Sequence, residues 1–384
     1  MRNRRVNIHI YPSNLENASR ILRITKFIAE NGFFEKVYLI GIHDIELSDI
    51  EKIDAKRTIF RLKTICRHRS KSYVVRSLAT IEWFLRVFIF IYKVKPSLIN
   101  AHNITTLPIA TIFKFFERET KIIYEPHELE TETNAKHGLK KTLSKWIEKT
   151  FIKKADRVVV VGDMIAEWYE REYKISKPYV IMNLPDLDSA VRNNIDLKSK
   201  LGINRNDLLF IHQGLMIKGR GIERIIEIFK KVNKKNHILF LGNGELDSII
   251  EKECKIHSNF HKIDLVKSNE VLNYTVGADV GIGMLIRHAP SLSNEYSVGN
   301  KFFEYLTAGI PVLVNSFPEY KRIVEKYNCG WVADNEDNAV VELINGLVLS
   351  QIESKKENVR NAANDFQWSN EKKKLESIYA DLLR

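Results

Sequence analysis

Short β-branched runs alternate with longer helical patterns along almost the whole chain, and that rhythm leaves few folds open. Val6–Ile10, Val37–Ile42, Leu98–Ala101, Ile122–Tyr124 and Val158–Val161 read as strands buried on both faces, as parallel sheets require. Between them, Ala18–Glu30, Tyr73–Tyr92, Leu107–Phe116 and Leu139–Lys153 carry apolar residues at helical spacing. Such βα alternation predicts a doubly wound parallel sheet with right-handed crossovers. A polar stretch, Asn183–Asn206, interrupts the rhythm. It restarts with a strand at Leu208–His212, a helix at Ile222–Val232 and strands at Ile238–Leu241, Val280–Met284, Pro311–Val314 and Gly330–Val332. The expectation is an α/β chain of two Rossmann-like doubly wound parallel-sheet domains facing a central cleft. Residues 1–184 form the first domain, 185–206 the linker and 207–365 the second domain. A helix over 366–384, built on Trp368, Leu375, Ile378, Tyr379 and Leu382, crosses back to the first. Ligands of such sheets sit at the carboxyl ends of the strands.

At 384 residues the chain accommodates two cores of this kind. Cys66, Cys254 and Cys329 lie far apart, with no CxxC and no clustered histidines in the sequence. That argues against a disulfide framework or a zinc site and fits a reducing compartment. The apolar run Val6–Ile10 is too short for a signal peptide. The longest apolar candidate for a span, Ile81–Tyr92, is broken by Glu82 and Arg86 and falls short of the roughly 18 to 20 residues a bilayer needs. A cytoplasmic location is expected. The net charge of +12 is unevenly placed: Lys56, Arg57, Arg61, Lys63, Arg67, Arg69, Lys71 and Arg76 occur with no acidic residue among them. An anionic neighbour is implied, whether a phospholipid surface, a phosphorylated substrate or nucleic acid.

Two segments carry chemistry. Gln213–Gly221 follows a strand and precedes a helix, with Gly219 and Gly221 flanking Arg220. The glycines permit close backbone approach, the helix start offers free N–H groups, and arginine presents a planar donor fork to phosphate oxygens. The plainer reading is a glycine-rich surface turn with an incidental arginine. Neither this loop nor Tyr11–Ala18 holds G-x-G-x-x-G, which disfavours a nicotinamide enzyme. The second segment, Ser291–Val312, runs from a polar loop into a helix with Asn300 and Lys301 in its first turn and Glu304 one turn on. These share neighbouring parts of one face, placing a cation for phosphates beside a carboxylate for ribose hydroxyls. Alternatively, it is a capped helix with a solvated Lys–Glu pair.

The second segment resembles the signature of retaining GT-B glycosyltransferases of family four, with the run Y-S-x-x-N-K-x-F-E-Y-x-x-x-G-x-P-V from Tyr296 to Val312. Ile99–Asn103, Tyr124–Leu129, Ala155–Val161, Leu241–Glu245 and the Trp368 region resemble that family's other landmarks, in order. The resemblance implies an acceptor-binding first domain and a donor-binding second domain, and sugar transfer from a UDP- or GDP-linked donor. It also implies retention of configuration, no metal ion and no further cofactor. His127 takes the place of the histidine facing the donor sugar, and Glu128 beside it would orient the imidazole or contact acceptor. Arg220 holds the second basic position of the diphosphate loop, and Glu304 is the second glutamate of the E-x7-E pair. Gly214, Gly242, Gly244, Asn294, Tyr296, Ser297, Asn300 and Lys301 complete the donor-binding set. Two departures stand out: Tyr296 replaces the first glutamate, with Glu295 beside it, and Gly214 replaces the first basic residue of the loop.

The partners implied are a nucleotide-sugar, a glycan or lipid-linked acceptor of surface-polysaccharide assembly, and an anionic membrane surface, with no nucleic acid. Peripheral attachment to the inner face of the cell membrane is assigned to Arg61, Lys63, Arg67 and Arg69, ahead of the aromatic stretch Trp83, Phe84, Phe88 and Phe90. Lys141, Lys145 and Lys149 on the helix Leu139–Lys153 add a second patch. The plainer reading is that these helices bury their aromatics and the charges are solvated. Three other functions compete. A nucleotide-sugar epimerase of the same fold would need no acceptor, a nucleic-acid binder rests on the basic excess alone, and an interaction-only relative would explain Tyr296 and Gly214.

Overall fold

The computed structural model describes residues 5–65, 73–185, 194–267, 269–283, 285–286 and 289–384. The chain forms two compact units, residues 1–182 with 372–384, and residues 183–371. In the first unit the order is β1 (Val6–Ile10), α1 (Ser19–Glu30), β2 (Lys36–Ile42), β3 (Ile50–Lys52), β4 (Arg57–Leu62), α2 (Tyr73–Val94) and β5 (Leu98–Ala101). It continues through α3 (Leu107–Phe116), β6 (Lys121–Tyr124), α4 (Gly138–Ile152), β7 (Arg157–Val160), α5 (Asp163–Tyr173) and β8 (Tyr179–Val180). The second unit begins with α6 (Leu197–Leu201), β9 (Leu208–Gln213), α7 (Ile222–Lys231), β10 (Asn236–Leu241), α8 (Asp247–Ile256), β11 (Phe260–Ile263), α9 (Val271–Thr275) and β12 (Val280–Ile282). It ends with α10 (Leu292–Glu295), α11 (Asn300–Ala308), β13 (Val312–Asn315), α12 (Pro318–Tyr327), β14 (Gly330–Ala333), α13 (Asp337–Gly346) and α14 (Leu349–Asp365), and is followed by α15 (Trp368–Leu383).

The first sheet runs β3-β4-β2-β1-β5-β6-β7-β8, parallel except for β3 against β4. The second runs β11-β10-β9-β12-β13-β14, parallel throughout. In each sheet the winding direction reverses once, between β1 and β5 and between β9 and β12. A reversal leaves a crevice outside the carboxyl ends of those strands, where α/β folds place their ligands.

Side chains from distant segments close the first unit. Tyr379 of α15 is buried and accepts a hydrogen bond from Asn100 Nδ2 (2.8 Å). Glu148 of α4 is wholly buried, and its carboxylate accepts hydrogen bonds from the hydroxyls of Tyr124, Tyr169 (2.8 Å) and Tyr173 (2.6 Å).

The expected membrane contact at Arg61 is corrected by β4, a strand that the charged sequence concealed. Its alternate residues Arg57, Ile59 and Arg61 point inward, and Arg61 is only 3% exposed. Its guanidinium donates to Asn14 O (2.7 Å), Ser48 O (2.7 Å) and Glu51 (2.8 Å), so it braces loops. Lys63 is exposed but paired with Asp49 at 2.7 Å, and Arg67 and Arg69 lie outside the described residues. Trp83 is likewise internal, donating to Gly41 O (3.0 Å), and Phe90 packs on Phe60. On α4, Lys141 and Lys145 are bound by Glu132.

Candidate functional site

The carboxyl end of β9 leads into a loop whose shape glycine dictates. Gly214 sits at φ +113° and Gly242, after β10, at φ +143°. A Cβ on Gly242 would lie 2.0 Å from Gly214 O, and one on Gly244 would lie 2.3 Å from Met216 O. Gly242 and Gly244 therefore let the β10 loop support the β9 loop, and Gly214 N and Met216 N donate to Leu241 O (2.9 Å) and Asn243 O (3.0 Å). Above this support the loop carries Arg220 exposed, next to the start of α7.

Lys301, in the first turn of α11, extends beneath that loop. Its Nζ is 3.1 Å from His212 Nε2 and 3.9 Å from the place a Gly214 side chain would occupy. A basic residue at 214 would thus meet the ammonium of Lys301, which the glycine there avoids. Burial and the charge of Arg220 hold Lys301 down to about 7, against the opposing pull of Glu304. Glu304 is raised by burial and pulled back by Gln213 and Lys301. Gln213 Nε2 donates to Glu304 while Gln213 Oε1 accepts from Thr275 (2.8 Å), so the carboxylate is fixed before any ligand arrives. Nearby, Ser291 caps α10 through Asn294 N (3.3 Å), Ser297 donates to Asn294 O (3.3 Å), and Tyr296 ends α10. Gly299 N, just ahead of α11, donates to the buried Tyr320 hydroxyl (2.9 Å), and Asn300 is exposed. His212, Gln213 and Thr275 were not legible as site residues, because only the β9–α9–α11 packing gives them a role.

In the first unit, His127 lies beyond the carboxyl end of β6, with exposed Glu128 beside it. The neighbour that fixes its ring is His102, after β5, whose Nδ1 lies 3.1 Å from His127 Nε2. His102 Nε2 is 2.7 Å from His9 Nδ1, and His9 Nε2 is 2.7 Å from Asn7 Oδ1. The Asn7 amide nitrogen donates to Leu98 O (3.3 Å) and Asn100 Oδ1 (2.9 Å), so its oxygen must face His9. An amide oxygen only accepts, and this settles every tautomer in the row. His9 donates through Nε2, leaving Nδ1 to accept from His102 Nε2–H. His102 Nδ1 then accepts from His127 Nε2–H, and the Nδ1 lone pair of His127 stays available. Burial holds all three rings neutral, with His9 and His127 pushed down to about 3. Nitrogen-15 NMR should show His127 as the Nε2–H tautomer, with His9 and His127 staying neutral down to about pH 3 and His102 titrating well below the usual histidine range. An Nδ1–H form of His127 at neutral pH would break the assignment.

The fold thus clusters histidines that the sequence scatters. Among the described residues, His102, Glu125 and His127 also place ligand-type atoms within 4.8 Å of one another. Two of the three are already engaged: Arg20 Nε donates to Glu125 (3.0 Å), and the His102 Nδ1 lone pair accepts from His127. A positive guanidinium beside the carboxylate opposes a dication there, so the geometry is that of an orienting hydrogen-bond chain.

Residues 6–189 match the family described as Glycosyltransferase Family 4, and residues 193–365 match Glycosyl transferases group 1. No curated protein matches the chain in sequence. Among solved structures, it is similar to sucrose-phosphate synthase from Thermosynechococcus elongatus, at 13% identity and TM-score 0.77 with 99% of each chain covered. It is also similar to Anabaena HepE in complex with UDP, at 14% identity and TM-score 0.71 over 98% of this chain and 100% of that one. HepE with UDP-glucose gives 13% identity and TM-score 0.69, over 98% and 99%. The apo lipopolysaccharide outer core galactosyltransferase WaaB gives 10% and 0.68, over 98% and 99%. Two parallel-sheet units, two successive family matches and these neighbours agree: the chain is a glycosyltransferase of the GT-B type, with a Glycosyltransferase Family 4 portion followed by a group 1 portion.

Proposed function

We propose that the enzyme transfers a sugar from a nucleoside-diphosphate donor, with retention and without a metal ion, to a lipid-linked or surface-polysaccharide acceptor. The observation carrying this reading is the Lys301–Glu304 pair on α11 beneath the glycine-shaped β9 loop. In this reading the diphosphate meets Lys301, Arg220 and the first N–H groups of α7, while Glu304 accepts from the ribose hydroxyls. As the bond from the anomeric carbon to the β-phosphate oxygen breaks, negative charge grows on the phosphate, and these donors stabilise it most at that point. Glu295 and Tyr296 stand where the family has its first glutamate. His127 is too weak a base to take a proton near neutrality, so it positions the sugar by accepting a hydroxyl hydrogen bond at Nδ1. HepE structures that hold UDP and UDP-glucose support a uridine donor.

The direct test is thermal stabilisation by UDP or GDP, expected to be equal in EDTA and in Mg²⁺. A shift confined to Mg²⁺ ends the metal-free reading. At 100 times the dissociation constant the ligand adds about 2.7 kcal/mol, which is easily seen.

A pH signature should accompany binding. In the free protein Lys301 titrates at about 7. A bound diphosphate favours the ammonium and raises that value, so binding takes up a proton wherever the free lysine is neutral. Affinity is then nearly flat with respect to Lys301 below about pH 6 and falls by up to about tenfold per unit above about pH 8. Calorimetry in buffers of different ionisation enthalpy at about pH 8 reads the uptake directly. A slope unchanged in Lys301→Gln would assign it elsewhere.

Membrane association is proposed at the exposed apolar stripe Leu78, Ile81, Leu85 and Ile89 of α2 together with Leu143 and Trp146 of α4, beside exposed Lys140 and Lys149. No described helix is long and apolar enough to cross a membrane. Sedimentation with phosphatidylglycerol vesicles at low salt is the check, and absence of binding there removes the proposal.

A further inference from the structure

Between α2, α3 and α4 the first unit holds a cavity of about 660 Å³, open along one side. Its wall is almost wholly hydrocarbon: Leu85 and Phe88 from α2, Ile109 and Ile112 from α3, and Ile147 from α4. Leu85 and Ile112 are 60% and 47% exposed, so apolar surface faces water in a concave place rather than on a convex one. Such a volume lies within the range of pockets that enclose a small ligand. Two lysines, Lys136 and Lys140, stand on its lining; Lys136 shares the field of the Glu130, Glu148 and Glu128 carboxylates, and Lys140 has no ion pair among the described residues. The opposite wall includes Ile104 and Thr105, which follow directly from His102 and Asn103. Asn103 Nδ2 donates to the Glu130 carboxylate at 2.8 and 3.0 Å, so the same short loop joins the groove to the histidine row.

We infer that this groove binds the hydrocarbon chain of a lipid phosphate or diphosphate acceptor, with Lys136 and Lys140 meeting the phosphate and the glycosylated end directed toward His127. The inference deepens the proposed function and rests on it. Charge complementarity selects the occupant. A neutral chain would leave Lys140 unmatched, and a free phosphate would leave the apolar wall wet. An acidic head on a hydrocarbon tail satisfies both parts. Chain burial supplies affinity and the lysines fix which end leads.

Dodecyl phosphate below its micellar concentration is the probe, with dodecanol and inorganic phosphate as its two halves, measured by calorimetry on the full chain. Dodecyl phosphate should bind once per chain and saturably, dodecanol more weakly, and phosphate without detectable heat. The double variant Leu85→Gln, Ile112→Gln alters exposed side chains and should lose about tenfold or more in affinity. Lys136→Gln, Lys140→Gln should lose affinity for dodecyl phosphate but keep that for dodecanol. Equal binding by the Leu85/Ile112 variant overturns the proposal. So does binding only to vesicles, which makes the face a membrane surface alone. UDP stabilisation, read on the same samples, separates the two levels. If UDP stabilises and dodecyl phosphate fails to bind, the groove assignment falls and the donor reading stands. If UDP fails too, the donor reading falls.

Discussion

Lys301→Ala is expected to lower turnover by about 10²- to 10³-fold, the usual cost of removing one preorganised donor from a site where charge develops. The size follows from the geometry: Lys301 lies beneath the β9 loop against Gly214, a position that offers no side chain of its own to replace the ammonium. Arg220→Ala should weaken nucleotide binding and lower turnover further than binding alone explains, because phosphate charge grows in the transition state. Glu304→Ala should act mainly on nucleotide affinity, since ribose contacts are alike in ground and transition states. Gln213→Ala should imitate it in weaker form by releasing the carboxylate. His127→Ala belongs to the other unit and should leave UDP affinity nearly intact while turnover collapses. Initial rates beside UDP titrations separate these patterns. Wild-type turnover in Lys301→Ala or His127→Ala would remove that residue from the mechanism.

Glu148→Ala should destabilise the protein by about 3 to 5 kcal/mol, a large effect for a residue far from the donor loop. Its carboxylate accepts from three tyrosine hydroxyls in a buried site. Removing it orphans all three donors at about 1 to 3 kcal/mol each, less whatever relaxation recovers. Deleting donors and acceptor together is the informative control. Phe at Tyr124, Tyr169 and Tyr173 combined with Glu148→Leu leaves no polar group to strand, and should recover much of the loss. Urea unfolding measures both. If the quadruple variant is as unstable as Glu148→Ala, the damage is packing and not unmet hydrogen bonds.

Much of the fold was legible because parallel strands buried on both faces stand out as apolar runs, and Val6–Ile10 and Leu98–Ala101 fall where they were expected. β4 was not legible, because its inward positions are filled by Arg57 and Arg61, which solvate themselves with carbonyls and carboxylates of other segments. A run of charge in a sequence does not reveal whether partners will be supplied. Lys301 and Glu304 were legible since one helix turn sets their proximity. The histidine row was not: His9, His102 and His127 meet only through the strand order β1-β5-β6. Gly242 and Gly244 were assigned to the donor-binding set by resemblance alone; in the structure their missing Cβ atoms admit another loop's backbone, a close approach that sequence does not reveal.

The helix α15 has a consequence for how the protein is made. Residues 372–384 belong to the first compact unit, yet the ribosome delivers them after all of residues 183–371. At about 5 to 20 residues per second, that interval lasts on the order of 10 to 40 s. Throughout it the nascent first unit lacks Tyr379 over Asn100 and presents the apolar ground that Leu375, Ile378 and Leu382 later bury. Synthesis order and folding order are therefore opposed: the second unit can finish while the first waits.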